Sequence, residues 1–151
     1  MTGKILIIED DPSATSLASY ALEQEGYQVL TAANGVEGLK MALEETPDIL
    51  VLDVMLPGMD GFELCHRLRN EASTAKLPII ILSVKGRESD RDMGLKVGAD
   101  EYLTKPTDPA ELVDCVGKML ERKGAAPIEG DRHNLEYLKF WPRDERSGRA
   151  V

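Results

Sequence analysis

Residues 49–58 of this chain are ILVLDVMLPG. The first four residues are all apolar and two of them are β-branched, which predicts a strand buried on both faces of a sheet. Asp53 stands at the end of this strand, and Pro57 and Gly58 break the chain shortly afterwards. Because α/β proteins build their sites at the carboxyl ends of parallel strands, Asp53 is a candidate functional carboxylate. A carboxylate that only caps a loop is the alternative at this point.

Length, composition and charge limit the class of protein. With 151 residues, 42% of them hydrophobic, the chain can form the core of one domain and carry a short appendage. A formal net charge of −9 argues against direct nucleic-acid binding, because phosphate backbones would repel it. No apolar run approaches the roughly 18–20 residues of a membrane span. With no signal-peptide pattern at the N-terminus, we expect a cytoplasmic protein. Cys65 and Cys115 are too few for a disulfide framework or a metal cluster, so we expect reduced thiols.

Strand and helix patterns alternate along the first 123 residues. Apolar and β-branched runs predict strands at 4–8, 28–32, 49–52, 79–82 and 101–103. A helical pattern follows each strand, and the predicted N-caps include Asp11, Asn34 and Asp108. Five such units predict an α/β fold with a doubly wound, five-stranded parallel sheet, five flanking helices and right-handed crossovers.

The composition changes at Gly124. Residues 124–127 are GAAP, which is typical of a linker, so we place a domain at 1–123 and a C-terminal tail at 124–151. The tail holds five acidic and five basic residues, and the whole net charge therefore belongs to the domain. Apolar side chains in the tail favour a short helix docked on its own domain or on a partner; they are Leu135, Tyr137, Leu138, Phe140 and Trp141.

Charged and hydroxyl side chains follow four of the five predicted strands. They are Glu9 and Asp10 after the first strand, Asp53 after the third, Ser83 after the fourth and Lys105 after the fifth. Because the carboxyl ends of parallel strands meet at one edge of a sheet, we expect these five side chains to line one crevice.

The chemistry of these groups points to phosphoryl binding. Two carboxylates about 5 Å apart repel by roughly 3 kcal/mol at an effective dielectric constant near 20, so three of them favour a bound cation. Oxygen ligands without histidine favour Mg²⁺ or Mn²⁺ over zinc, and the backbone carbonyl of Met55 is a candidate neutral ligand. Lys105 and Ser83 supply an ammonium and a hydroxyl for an incoming anion. Asp53 is then the candidate nucleophile, since carboxylates can form acyl phosphates.

The same residues carry a resemblance to a known family. Glu9-Asp10, Asp53 followed by MLPGMDG at 55–61, Ser83, and Lys105-Pro106 occur in the order and spacing of a response regulator receiver domain. The chain resembles the stand-alone, chemotaxis-regulator type of two-component systems over about residues 3–123. This resemblance implies a flavodoxin-like sheet with strand order 2-1-3-4-5.

The resemblance also implies roles for the acidic residues and the lysine. Asp53 would accept a phosphoryl group from a phosphohistidine on a sensor histidine kinase or a histidine phosphotransfer protein. Glu9, Asp10, Asp53 and the Met55 carbonyl would hold the Mg²⁺ or Mn²⁺ ion. Lys105 would pair with the phosphoryl oxygens, and the family usually has a cis peptide bond between this lysine and the following proline.

Ser83 and Tyr102 match the switch residues of the family, in which the hydroxyl moves towards the phosphoryl group and the aromatic ring moves inward. This movement would change a surface formed by the fourth helix, the fifth strand and the fifth helix, to which an output protein binds. We expect no nucleic-acid or membrane partner, a monomer or weak homodimer, and no catalysis beyond the chain's own phosphorylation and dephosphorylation. Passing the phosphoryl group onward in a phosphorelay is a second mode of output.

Two positions depart from the family pattern, and two other protein classes compete with the interpretation. Thr107 replaces the bulky aromatic residue that often follows the Lys-Pro pair in the family. Val84 stands where the family usually has a very small residue, which predicts a long-lived phosphorylated form. A phosphatase of the haloacid-dehalogenase type needs a second Asp two residues after the nucleophile, but Met55 occupies that place. A flavodoxin needs a phosphate-binding loop after the first strand, where Glu9, Asp10 and Asp11 would instead repel the phosphate.

Overall fold

The computed structural model describes residues 3–125. Strands and helices alternate in the order β1 (Lys4–Ile8), α1 (Pro12–Gln24), β2 (Gln28–Ala32), α2 (Gly35–Glu45), β3 (Ile49–Leu52), α3 (Gly61–Arg69), β4 (Ile79–Ser83), α4 (Glu88–Lys96), β5 (Glu101–Thr104) and α5 (Pro109–Ala125). The five predicted pairs of strand and helix are therefore all present.

All five strands are parallel and lie in the order β2-β1-β3-β4-β5. The order reverses beside β1, because the chain crosses from β2 over to β3 on the other side of it. The register pairs Ile8 of β1 with Leu52 of β3, so these two strands end side by side. The predicted doubly wound, flavodoxin-like sheet is confirmed, and its switch point lies where Glu9 and Asp53 follow their strands.

Both faces of the sheet are covered, and β3 contributes to both. Leu50 and Leu52 belong to a cluster that includes residues of α2 and α3, whereas Ile49 and Val51 belong to one that includes residues of α1 and α5. All four side chains are buried. This is why the strand has a continuous apolar sequence instead of an alternating one.

The predicted N-caps lie at the starts of their helices. Asp11 accepts a hydrogen bond from the backbone N–H of Ser13 at 3.2 Å, and Asn34 accepts one from Glu37 at 2.8 Å. The carboxylate of Asp108 accepts from the backbone N–H of Ala110 at 2.9 Å. Each side chain thus satisfies a donor that the first helical turn leaves without a partner.

The ends of three elements differ from the sequence expectation. β4 extends to Ser83, β5 extends to Thr104, and α5 continues to Ala125, past the Gly124 at which we placed a linker. A single glycine in a helix costs only about 1 kcal/mol relative to alanine, which does not by itself end a helix. The predicted tail helix at residues 135–141 lies outside the described residues, so the division into domain and tail stays a prediction.

Cys65 lies in α3 and Cys115 in α5, and both are free thiols, as their number predicts. Within residues 3–125, no helix combines the length and the apolar character that crossing a membrane requires.

Candidate functional site

The ends of β1 and β3 place two acidic side chains next to each other. The backbone N–H of Asp53 donates to the carbonyl of Ile8 at 3.0 Å, which continues the pairing of the two strands by one residue. The N–H of Glu9 donates in turn to the carbonyl of Ala32 in β2 at 3.0 Å. Glu9 and Asp53 are therefore fixed by the sheet itself, and both side chains are buried.

Three carboxylates meet at this edge, as the sequence predicts. Glu9, Asp10 and Asp53 each offer one oxygen, and these oxygens all lie within 4.8 Å of one another. Asp10 is exposed, whereas the other two are buried. A cluster of hard oxygen donors open to solvent on one side suits a hard divalent cation that keeps part of its water shell.

Lys105 lies between two of these carboxylates. Its Nζ donates to Glu9 Oε1 at 2.5 Å and to Asp53 Oδ2 at 3.2 Å. The sequence predicts an ammonium that faces an incoming anion, and the structure shows that the same group already pairs with the acidic cluster. Three carboxylates and one ammonium give these four side chains a combined formal charge of −2, which a divalent cation would neutralise.

Burial and neighbouring charges shift the pKa values of Glu9 and Lys105, which form an ion pair. Burial raises the pKa of Glu9, against the lowering effects of the Lys105 ammonium and of the backbone N–H of Asp11. Burial works to lower the pKa of Lys105, but its hydrogen bond to Glu9 and the charge of Asp53 outweigh this effect and raise it. Lys105 therefore stays charged throughout the neutral range.

The loop after β3 fixes the orientation of the Asp53 side chain. The backbone N–H of Met55 donates to Asp53 Oδ1 at 3.0 Å, while the Lys105 ammonium contacts the other carboxylate oxygen. Gly61 packs against the start of this loop so closely that a Cβ there would lie 2.6 Å from the Cα of Val54. The carboxylate is thus held by a donor on each oxygen. Coordination of a metal by the Met55 carbonyl stays a prediction.

Ser83 lies at the end of β4, next to the acidic cluster in the order of the sheet. It is fully buried, and its Oγ accepts a hydrogen bond from the backbone N–H of Lys85 at 3.3 Å. Its carbonyl accepts from the backbone N–H of Lys105 at 2.8 Å, which connects the ends of β4 and β5. The peptide bond between Lys105 and Pro106 is cis, as the family resemblance implies.

Tyr102 of β5 points into the domain. Only 4% of the residue is exposed, and its hydroxyl donates to the backbone carbonyl of Lys85 at 2.5 Å. Burial raises the pKa of this hydroxyl, so it remains a donor in the neutral range. By the family resemblance, Tyr102 matches the switch aromatic, whose ring moves inward. In the structure the Tyr102 ring is in the inward position. The sequence does not reveal its partner, because a backbone carbonyl in a loop leaves no residue pattern.

A doubly wound sheet with a carboxylate cluster and a lysine at its carboxyl edge is the arrangement that the resemblance implies for a signal receiver domain. The chain belongs to the family described as the response regulator receiver domain, whose model matches residues 5–117. This assignment confirms the resemblance and sets aside the phosphatase and flavodoxin alternatives.

Individual relatives agree with the family. Over 136 residues the chain is 43% identical to the alkaline phosphatase synthesis transcriptional regulatory protein PhoP of Bacillus subtilis, covering 90% of this chain and 56% of PhoP. It is 38% identical to protein PilH of Pseudomonas aeruginosa, covering 78% of this chain and 97% of PilH. Among solved structures, the chemotaxis response regulator CheY4 of Vibrio cholerae superposes with a TM-score of 0.74 at 31% identity, over 78% of this chain and 98% of that chain.

The chain spans about half the length of the transcriptional regulators that it matches. In contrast, it covers nearly all of PilH and CheY4. The shared part is therefore the receiver domain.

Proposed function

We propose that this receiver domain carries a signal as a phosphoryl group on Asp53. The observation that supports this most directly is the position of the Asp53 carboxylate, which is buried at the end of β3 with a donor on each oxygen. One donor is a backbone N–H and the other an ammonium, and together they can stabilise the extra negative charge of a phosphorylated carboxylate. The proposed donors are a sensor histidine kinase or a histidine phosphotransfer protein.

Glu9, Asp10 and Asp53, with the backbone carbonyl of Met55, would hold Mg²⁺ or Mn²⁺ in this proposal. The cluster contains oxygen donors only, and its four charged side chains sum to −2. When bound, the ion supplies positive charge that reduces the repulsion between the carboxylates and an incoming phosphoryl group.

Transfer is a substitution at phosphorus in which the chain provides the nucleophile. A carboxylate oxygen of Asp53 attacks phosphorus, and the new O–P bond forms while the N–P bond of the phosphohistidine breaks. The leaving imidazole nitrogen keeps the bonding electrons and takes up a proton. Hydrolysis restores the carboxylate, because water attacks phosphorus, the O–P bond of the acyl phosphate breaks, and inorganic phosphate leaves.

The output proposed for the phosphorylated state is a changed protein surface. Ser83 and Tyr102 would respond to the phosphoryl group and alter the surface of α4, β5 and α5, to which an output protein binds. Onward transfer of the phosphoryl group to another protein is the second mode. In both modes the chain acts as a monomer or weak homodimer in the cytoplasm and processes no substrate other than its own phosphoryl group.

A small phosphodonor tests this proposal directly. The purified chain is incubated with acetyl phosphate and MgCl₂, and intact-mass spectrometry with peptide mapping locates any added phosphoryl group. We expect one group, on Asp53, and none when EDTA replaces MgCl₂. Asp53→Asn should abolish the modification, whereas Asp60→Asn should retain it, since Asp60 caps α3 and lies outside the acidic cluster. An unmodified wild-type chain, or a label elsewhere, would overturn the proposal.

A further inference from the structure

The aromatic ring of Tyr102 lies in a pocket that two residues of α4 complete. The first is Gly94, where an added Cβ would lie 2.6 Å from Cδ2 and 2.9 Å from Cε2 of the ring. Real Cβ atoms do not approach aromatic carbons this closely, so the inward ring and a side chain at position 94 exclude each other. A glycine in the middle of a helix is otherwise unfavourable, which indicates that this one serves packing.

The second residue is Arg91, one helical turn before Gly94. Its guanidinium carbon lies 5.5 Å from the centroid of the Tyr102 ring, within the range of a cation–π interaction. The same guanidinium donates from Nη1 to Thr104 Oγ1 at 2.8 Å. This bond anchors the arginine to β5, two residues beyond the tyrosine, and keeps it over the ring.

The hydroxyl of Tyr102 connects this pocket to the loop after β4. It donates to the carbonyl of Lys85, and the N–H of the same residue donates to Ser83 Oγ. The ring position and the Ser83 hydroxyl are thus joined through a single residue. An outward ring would lose the bond to Lys85, the contact with Arg91 and the packing against Gly94 together.

We propose that Arg91 and Gly94 are positioning residues that hold Tyr102 inward before any phosphoryl group is present. Gly94 provides the space for the ring, and Arg91 covers it. The inward position of the ring does not depend on the proposed function. Its role in signalling does rest on that function. In this chain, the unphosphorylated domain would therefore have the inward ring already in place. The response to a phosphoryl group would then begin at Ser83 and reach Tyr102 through Lys85, without an outward-to-inward movement of the ring.

The experiment measures the exposure of one tyrosine in the unphosphorylated chain. The protein is labelled with 3-fluorotyrosine, the ¹⁹F resonance of Tyr102 is assigned with Tyr102→Phe, and a soluble gadolinium chelate reports its exposure to solvent. The wild-type resonance should be protected. Arg91→Gln should raise the outward fraction by about two- to five-fold, the size expected for losing one cation–π contact. Arg91→Lys should restore part of the protection, and Lys96→Gln, an exposed charge on the same helix, should change nothing.

Gly94→Ala tests the other half of the pocket with a matched control. Both Gly94 and Gly117 lie inside helices, but a Cβ at Gly117 would meet no heavy atom closer than 3.8 Å. Gly94→Ala should expose the Tyr102 resonance fully, whereas Gly117→Ala should leave it protected. Circular dichroism checks that both variants fold. If Gly94→Ala does not fold, the Arg91 variants alone test the inference.

The outcomes separate this inference from the proposed function. A Tyr102 resonance that stays protected in folded Arg91→Gln and Gly94→Ala, or that is already exposed in the wild type, overturns the inference even if Asp53 is phosphorylated. Loss of protection in these variants supports the inference even if acetyl phosphate fails to modify Asp53, and in that case the proposed function alone fails.

Discussion

Asp10→Asn is expected to stabilise the chain when no divalent cation is present. The Asp10 carboxylate lies within 4.8 Å of those of Glu9 and Asp53, and the ammonium of Lys105 pairs with these two and not with Asp10. Asparagine keeps the shape of the side chain and removes its charge. The substitution therefore relieves two repulsive interactions at the cost of no ion pair in the cluster.

Coulomb's law sets the size of the effect. At 4.8 Å, two unit charges repel by about 0.9 kcal/mol in bulk water and by about 3.5 kcal/mol at an effective dielectric constant of 20. Because Asp10 is exposed, the lower figure applies to each of its two neighbours. The Lys105 ammonium pairs with both neighbours and attracts Asp10, which offsets about one of the two repulsions. We therefore expect a gain of about 1 kcal/mol in the free energy of unfolding, measured by urea titration in EDTA at low ionic strength.

With magnesium present, the wild type should be more stable than Asp10→Asn. A cation that binds only the folded state at a hundred times its Kd stabilises by about 2.7 kcal/mol, and the wild type should gain more of this than a variant that lacks one ligand. Asp11→Asn is the matched control, because it removes the neighbouring charge outside the cluster and keeps an N-cap side chain. If Asp10→Asn is no more stable than wild type in EDTA, the electrostatic account of the cluster is wrong.

Three further predictions follow from the site. Val84→Ala should shorten the lifetime of the phosphorylated chain if the branched side chain after Ser83, which is 60% exposed, restricts the approach of water to a phosphorylated Asp53; an equal or longer lifetime in a phosphate-release assay rejects this. Because folding raises the pKa of Lys105, its contribution to stability is complete below its ordinary value of 10.5 and is lost as the pH rises through the folded value. Urea titrations across this range should show the loss in the wild type relative to Lys105→Gln, and parallel curves would contradict it. Gly61→Ala should destabilise the domain by about 1–3 kcal/mol through overpacking against the backbone of the β3–α3 loop, whereas Gly117→Ala should stabilise it by up to about 1 kcal/mol in thermal unfolding.

The sheet could be predicted well from the sequence because its central strands are buried on both faces. A continuous apolar run such as residues 49–52 is typical of a strand covered by helices on each side, and the turn residues around it mark the ends. The same geometry brings the acidic residues together, since each follows a strand at the same edge of the sheet. Predicting the cluster of Glu9, Asp10 and Asp53 therefore required only the strand ends and the parallel topology.

Contacts between side chains and distant backbone groups could not be predicted in this way. Arg69, at the end of α3, donates to the carbonyls of Leu77 and Gly98 and pairs with Asp100, and these partners lie in two loops that no local pattern connects to it. The bond from Tyr102 to the Lys85 carbonyl is of the same kind. Such contacts depend on the packed arrangement of several elements, whereas periodicity describes one element at a time.

The ion pair between Lys105 and Glu9 joins residues that are 96 positions apart. During synthesis on the ribosome, a chain that has emerged only through β4 contains all three carboxylates and lacks the ammonium that pairs with two of them. The set of charged side chains around Asp53 is complete only after nearly the whole domain has left the exit tunnel. Under the proposed function, translation products that stop before β5 would therefore lack one of the two hydrogen-bond donors to Asp53.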